Sequence, residues 1–274
     1  MPGLSVITVN LNNKDGLART FNSLAEQSVK PNQFIIVDGE SSDGSQDLIA
    51  QHSDLIDLAI IEKDTGVYNA MNKGIAKATG DYIHFLNSGD HFEDASGVEM
   101  AMASMQGEDL ICFDIAVEGQ GRSYIKSHPA EIDLNYMLED TLAHQSVLIK
   151  RALFDKIGLY DESLKIVADW KFFLDALLRP ETLYKAVNKT LTHYYLDGMS
   201  ATAEGTFKRR DERKALIEAH YAFLAKAAQQ GRLLQMNRFK MLAALETSGA
   251  AKKLNSLWLR ILLRLFKNKG AKDL

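Results

Sequence analysis

E-K-D-T-G-V-Y-N-A-M-N-K-G-I-A-K-A-T-G-D-Y-I-H-F-L-N-S-G-D, residues 62–90, reads as a polar turn (62–66), a short helix (about 67–78) and a strand (82–86). The strand runs directly into Asn87-Ser88-Gly89-Asp90. A carboxylate at the end of a buried strand is held rigidly and faces the crevice where open α/β sheets bind ligands. The small residues around it leave room for a bulky anion and a metal ion, so Asp90 is the expected metal and diphosphate anchor.

Working outward from this stretch, residues 4–9 are a β-branched apolar run, the pattern of a buried first strand, and Asn10 opens the loop at its C-terminal end. Leu17, Phe21 and Leu24 recur at helical spacing over residues 15–26. A second strand (33–37) ends at Asp38, followed by a turn with two glycines and a helix at about 46–51; a third strand covers 58–61. Four strands and three helices therefore alternate up to Asp90, which predicts a mostly parallel central sheet flanked by helices. Beyond Asp90 the pattern loosens. A helix is expected at 95–105, a hairpin at 109–127 around Glu118-Gly119-Gln120-Gly121, a helical segment at 134–138 and a strand at 144–149. A loop at 158–166 then leads to a helix opening at Val167-Ala168-Asp169-Trp170, and a last strand spans 183–195, ended by residues 197–200.

The chain has 274 residues, 46% hydrophobic and 25% charged, enough for one large domain with appendages. A net charge of -4 gives no reason to expect nucleic-acid binding. Cys112 is the single cysteine; it sits in an apolar run, reads as a buried strand residue, and suits a reducing compartment. His84 likewise alternates into a strand and is expected to be buried. The first residues carry no signal-peptide pattern and no window is apolar enough to span a bilayer. Residues 252–269 hold six basic residues and no acidic one, with Leu254, Leu257, Trp258, Ile261, Leu262, Leu265 and Phe266 on one side of a helical wheel. This basic amphipathic pattern belongs to helices that lie on anionic membrane surfaces. A helix packed on the protein's own core is the competing reading.

Asn10, Asp38 and Asp90 are thus expected at one edge of the sheet, with the Asp64 turn beside them. Carboxylates and amides there can accept hydrogen bonds from a base or ribose. There is no G-x-G-x-x-G after the first strand and no G-x-x-x-x-G-K-[ST], so a diphosphate needs a divalent cation; Mg²⁺ or Mn²⁺ on oxygen ligands suits Asp90. Each carboxylate also has a plainer reading: Asp38 and Asp90 as caps of the helices that follow, and Asp169 as a first-turn residue favoured by the helix dipole.

Four pieces, S-V-I-T-V-N, V-D-G-E-S-S-D-G-S, the opening stretch, and V-A-D-W-K-F-F-L, occur in this order over residues 4–200. Together they resemble the inverting family 2 glycosyltransferases with the GT-A fold, of the bacterial polysaccharide-biosynthesis type. The resemblance implies a metal-dependent hexosyl- or N-acetylhexosaminyltransferase acting on a nucleotide-diphosphate sugar, taken to be a UDP-sugar, and a glycan or polyprenyl-linked acceptor. It places Val9, Asn10 and Asp38 at the nucleotide base, and Asp64 and Asn72 at the nucleotide and donor sugar. Asn87 and Ser88 stand where the family has D-x-D or D-D, so only Asp90 keeps the metal position. Asp169 matches the catalytic base, with Trp170 as a stacking platform for an acceptor sugar and His144 on the acceptor side. His193 is a further metal-side residue. The implied division is 1–204 for the transferase domain, with a nucleotide-sugar half (1–90) and an acceptor half (91–204), and 205–274 for a helical extension. The implied location is cytoplasmic, on the inner face of the cell membrane. Two rivals stand beside this reading. One is a sugar-phosphate nucleotidyltransferase, which would need a glycine-rich phosphate loop after the first strand. The other is a non-catalytic nucleotide-sugar-binding scaffold.

Overall fold

The computed structural model describes residues 2–196 and 203–226, together with 244, 247–249, 252–253, 256–259 and 261–262. Residues 197–200, read above as the end of the last strand, lie outside the described residues, as does much of the 252–269 segment. The chain forms two compact units, Met1–Leu216 and Ile217–Leu274. The fold and site below belong to the first.

Nine strands are described: β1 Leu4–Asn10, β2 Gln33–Asp38, β3 Leu58–Ile61, β4 Tyr82–Phe85, β5 His91–Phe92, β6 Leu110–Gly119, β7 Arg122–Lys126, β8 Val147–Lys150 and β9 Tyr184–Tyr195. The helices are α1 Lys14–Ala25, α2 Ser45–Gln51, α3 Val67–Lys77, α4 Gly97–Ser104, α5 Leu134–Glu139, α6 Ala152–Ile157, α7 Ala168–Leu177 and α8 Ala203–His220. All nine strands join one sheet in the order β3-β2-β1-β4-β8-β6-β9-β5, with β7 paired to β6.

The α/β alternation read from the sequence holds through β4. β2 and β4 pair with β1, and β3 with β2, all in parallel. Every residue of β1 is buried, as an apolar run in the middle of a sheet covered on both faces requires. Its core contacts include Phe21 and Leu24 of α1 and Phe34 of β2. Burying a side chain of that size contributes about 1.5–3 kcal/mol. Helix α3 presses close on β1, because a Cβ at Gly74 would sit 2.6 Å from the Ile7 side chain.

Past β4 the sheet changes character. β8 runs antiparallel to both β4 and β6, β7 and β5 pair antiparallel with their neighbours, and only β6 and β9 are parallel. The parallel character is therefore concentrated in the first half. The hairpin expected at 109–127 is present as β6 and β7, with left-handed backbone at Gly119, Gln120 and Gly121. Two local differences bear on the site. Residues 144–149 are not one strand; His144–Ser146 form a 3₁₀ turn ahead of β8. Helix α6 also precedes the expected loop at 158–166.

Candidate active site

The C-terminal ends of β1, β2 and β4 meet at one sheet edge. The β1–β2 register sets Asn10 beside Asp38. The Asn10 amide donates to Asp38 Oδ2 at 2.7 Å and approaches Ser41 Oγ at 3.2 Å. Ser41 donates its hydroxyl to Asp38 Oδ2 and its backbone N–H to Asp38 Oδ1, both at 2.8 Å. Asp38 and Asn10 are buried, and Asn10 Oδ1 has no partner there. A buried carbonyl oxygen of this kind is an acceptor a ligand N–H can satisfy. Asp64 accepts from the Gly66 N–H at 3.0 Å. Its other oxygen lies 2.5 Å from where a Gly39 Cβ would stand, so glycine at 39 is what lets this carboxylate lie against the backbone next to Asp38. Neither Asp38 nor Asp90 caps a helix: Gly44 stands at the α2 cap and Ser96 at the α4 cap.

Past Phe85 the β4 ladder continues, with the Leu86 N–H donating to Ile7 O (3.0 Å) and the Ser88 N–H to Val9 O (3.1 Å). The chain then turns through Gly89 (φ +107), where the Asp90 N–H donates to Asn87 O at 2.9 Å. Helix α1 holds this turn. Buried Thr20 accepts from the Gly89 N–H (3.1 Å) and donates to Asp90 O (2.7 Å). Asn13 donates to Ser88 O (3.0 Å) and Arg19 to Gly89 O (3.2 Å). Asp90 is thereby fixed at the same edge as Asn10 and Asp38, itself buried.

Asp169, in the first turn of α7, is buried beneath two donors. Tyr68 of α3 donates its hydroxyl to Oδ1 at 2.9 Å, and His144 Nδ1 lies 3.0 Å from Oδ2. The other ring nitrogen of His144 lies 3.2 Å from Asn87 Nδ2. Burial pushes the Asp169 pKa up. The hydrogen bonds from His144, the Tyr68 hydroxyl and the Trp170 backbone N–H outweigh that, and the net value falls below the ordinary carboxylate value. The carboxylate therefore stays ionised at neutral pH. Helix α3 also braces the loop that leads into α7, since Asn69 and Asn72 both donate to the Glu162 carboxylate.

Three expectations are corrected by these contacts. Trp170 is not a sugar platform: it is 1% exposed, its indole N–H donates to Met137 O at 2.6 Å, and Arg213 covers a ring face at 4.7 Å. His193 turns neither nitrogen to the Asp90 turn, because Nε2 lies 3.1 Å from Glu118 and Nδ1 3.3 Å from Glu93. It stacks instead on His91 and Tyr195. The Asn72 amide is spent on the Tyr160 backbone and Glu162 rather than on the cleft. His84 and Cys112 are buried as expected; burial drives the Cys112 thiol well above its ordinary value, which leaves it unreactive. Sequence reasoning missed Tyr68, Ser41, Thr20 and Asn13. The only available signal for Tyr68 was its place one helical turn before Asn72.

Among the described residues no three His, Cys, Asp or Glu side chains gather into a metal cage. The 87–90 turn instead offers oxygens: the Asp90 carboxylate, the Ser88 hydroxyl, and Asn87 Oδ1, which is buried without a partner. That donor set fits a small hard cation that takes most of its ligands from water and substrate phosphates.

Residues 5–158 match the model of the family described as glycosyl transferase family 2. A glycosyltransferase of Mycobacterium tuberculosis is 32% identical over 185 residues, covering 65% of this chain and 70% of that protein. A PGL/p-HBAD biosynthesis glycosyltransferase of Mycobacterium bovis is 28% identical over 200 residues, covering 70% of this chain and 77% of that protein. Among solved structures, S. aureus TarS 1-349 in complex with UDP-GlcNAc superposes with a TM-score of 0.60 at 19% identity. That match covers 70% of this chain and 58% of the TarS chain. The mannosyltransferase PcManGT from Pyrobaculum calidifontis, in complex with GDP-Man and Mn2+, superposes with a TM-score of 0.56 at 14% identity, covering 98% of this chain and 88% of that one. The sheet and its flanking helices have the GT-A fold.

Proposed function

Because the chain belongs to glycosyl transferase family 2, we propose that it moves a sugar from a nucleotide-diphosphate sugar to a glycan or lipid-linked acceptor, with inversion, in cell-surface polysaccharide assembly. The observation that carries this reading is continuity. The base-side pair Asn10–Asp38, the 87–90 turn and Asp169 are joined by hydrogen bonds through Val9, Ser88, Asn87 and His144. A scaffold that only bound nucleotide would not need an ionised, oriented carboxylate on the acceptor side. A nucleotidyltransferase would need a phosphate loop after β1, which the sequence lacks.

In this reading Asn10 Oδ1 accepts from the base, Asp38 fixes the Asn10 amide, and Asp64 faces the ribose. The donor is a UDP-sugar, in keeping with the UDP-GlcNAc seen on TarS, although PcManGT carries GDP-Man. Asp169 takes the acceptor hydroxyl proton. Its two oxygens carry four lone pairs, and Tyr68, His144 and the Trp170 backbone N–H draw on three, so acceptor capacity remains. The acceptor oxygen forms its bond to the anomeric carbon from the face opposite the diphosphate. The bond from that carbon to the diphosphate oxygen breaks, the electron pair leaves with the nucleotide, and the configuration inverts. Proton removal by a positioned base contributes about 10²–10⁴-fold. Asp90, with Ser88 and Asn87 beside it, would hold Mg²⁺ or Mn²⁺; a bound cation neutralises charge on the diphosphate.

Release of UDP from a panel of UDP-sugars tests both donor and metal. Turnover is expected with Mn²⁺ or Mg²⁺ and at least a tenfold loss with excess EDTA, restored by added Mn²⁺. Full activity in EDTA would remove the metal from the account.

No helix among the described residues is long and apolar enough to cross a membrane. In the second unit, the described tail residues Leu257, Trp258, Leu259, Ile261 and Leu262 are exposed. An exposed apolar helix segment rich in arginine and lysine supports a bilayer-surface role, at the inner face of the cell membrane, next to a polyprenyl-linked acceptor. Deleting residues 252–274 should abolish co-sedimentation with anionic liposomes while leaving UDP release on a soluble acceptor intact. Undiminished co-sedimentation of the truncated chain would refute the membrane role.

A further inference from the structure

His144 lies between the two halves of the cleft and touches both. It sits on the 3₁₀ turn His144–Ser146, where β4 and β8 run side by side. Its Nδ1 lies 3.0 Å from Asp169 Oδ2 and its Nε2 3.2 Å from Asn87 Nδ2. A carboxylate can only accept, so Nδ1 carries the proton. An amide nitrogen can only donate, so Nε2 is the acceptor. This polarity fixes the neutral tautomer and leaves Asn87 Oδ1, buried without a partner, as a free acceptor on the donor side.

We propose that His144 is a positioning residue that couples donor binding to the base: through Nδ1 it orients the Asp169 carboxylate, and through Nε2 it holds the Asn87 amide so that Oδ1 is presented to the cation or donor sugar. This rests on Asp169 being the base. Anything that moves the 87–90 turn then also moves the imidazole that aims Asp169, so acceptor activation depends on an ordered donor site.

The groups facing Asp169 are few. Tyr68 and Tyr160 are buried, and burial drives both hydroxyls well above their ordinary value, so they remain protonated. Arg213 stands on the other side of Trp170 and interacts with the Asp169 charge. His84, behind His144 in β4, is pushed down to about 3 by burial, so it stays neutral. His144 is thus the group whose removal should most change Asp169.

Two substitutions separate the two contacts. The amide nitrogen of asparagine can stand in for imidazole Nδ1 as the donor to Asp169, and the amide oxygen of glutamine for Nε2 as the acceptor from Asn87. His144→Asn keeps a donor on Asp169 and gives up Asn87. His144→Gln keeps Asn87 and gives up Asp169. With UDP-sugar, Mn²⁺ and acceptor, His144→Gln should move the acid limb of kcat/KM upward by roughly one pH unit and lower kcat, with donor KM little changed. His144→Asn should leave the acid limb in place and raise donor KM severalfold. An unmoved limb in the glutamine variant, or equal losses in both variants with neither signature, would overturn the inference. A measurement that needs no variant is the ¹⁵N spectrum of the His144 ring in the native chain with UDP and the diamagnetic cation Mg²⁺. A proton on Nδ1 and a bare Nε2 are expected, and a proton on Nε2 would overturn it. Wild-type chain that releases no UDP under any donor and metal condition would count against the transferase reading itself. Active wild type with neither variant signature would count against His144 alone.

Discussion

Asp169→Asn is expected to lower transfer by about 10²–10⁴-fold, the contribution of a positioned general base. Affinity for UDP should stay within a factor of about two, because Asp169 touches none of the base-side residues and the contact to Asn87 runs through His144. The amide is nearly isosteric, so Tyr68 keeps an oxygen to donate to. What is lost is the negative charge and the lone pair that would take the acceptor proton. Initial rates of UDP release, set beside calorimetric titration of UDP into the same preparation, check both halves of the expectation. Transfer above a tenth of wild type would put the base elsewhere.

Asp38→Ala carries the second large effect, and it acts on folding as well as binding. The Asn10 amide, the Ser41 hydroxyl and the Ser41 backbone N–H all donate to this buried carboxylate. Removing the acceptor orphans three buried donors, each worth about 1–3 kcal/mol when left unsatisfied. Water entering the space recovers part of this, so a net loss of about 3 kcal/mol and a fall in Tm of roughly 6–12 °C are expected. The Asn10 amide would also be free to rotate, and the Oδ1 acceptor for the base would lose its fixed direction. UDP affinity should fall at least tenfold, about 1.4 kcal/mol. Thermal melts with and without UDP separate the two effects: the apo melt reports the lost hydrogen bonds, and the UDP-induced rise reports binding. An apo melt within 2 °C of wild type would show that the Asp38 cluster does not hold the sheet edge.

Much of the first half was legible because its structure is local. β-branched runs separated by helical periodicity allow little but a parallel sheet, and parallel strands deliver their C-terminal residues to one edge. Asn10, Asp38 and Asp90 could therefore be grouped from their positions at strand ends alone. The second half was less legible because its contacts are tertiary. His144 opens an apolar run that reads as strand, and only the packing of β8 against β4 and β6 shows that its first three residues form a turn. Trp170 was paired with Asp169 because they are neighbours in sequence. Adjacent helical residues point about 100° apart, so a carboxylate facing the cleft sends the next side chain into the core. The partners of His193, Glu93 and Glu118, come from other parts of the sheet, and nothing in the local sequence marks them. Asn72 was placed at the donor sugar by the family resemblance, but its partner, Tyr160, lies 88 residues away.

A crystal structure of the chain with UDP and Mn²⁺ tests the central claim most directly. The account predicts uracil against Asn10 and Asp38, the diphosphate and cation at Asp90, and the Asp169 carboxylate facing the open end of the diphosphate across the cleft. Nucleotide bound away from the β1–β2 edge, or an Asp169 walled off from the diphosphate by protein, would contradict it.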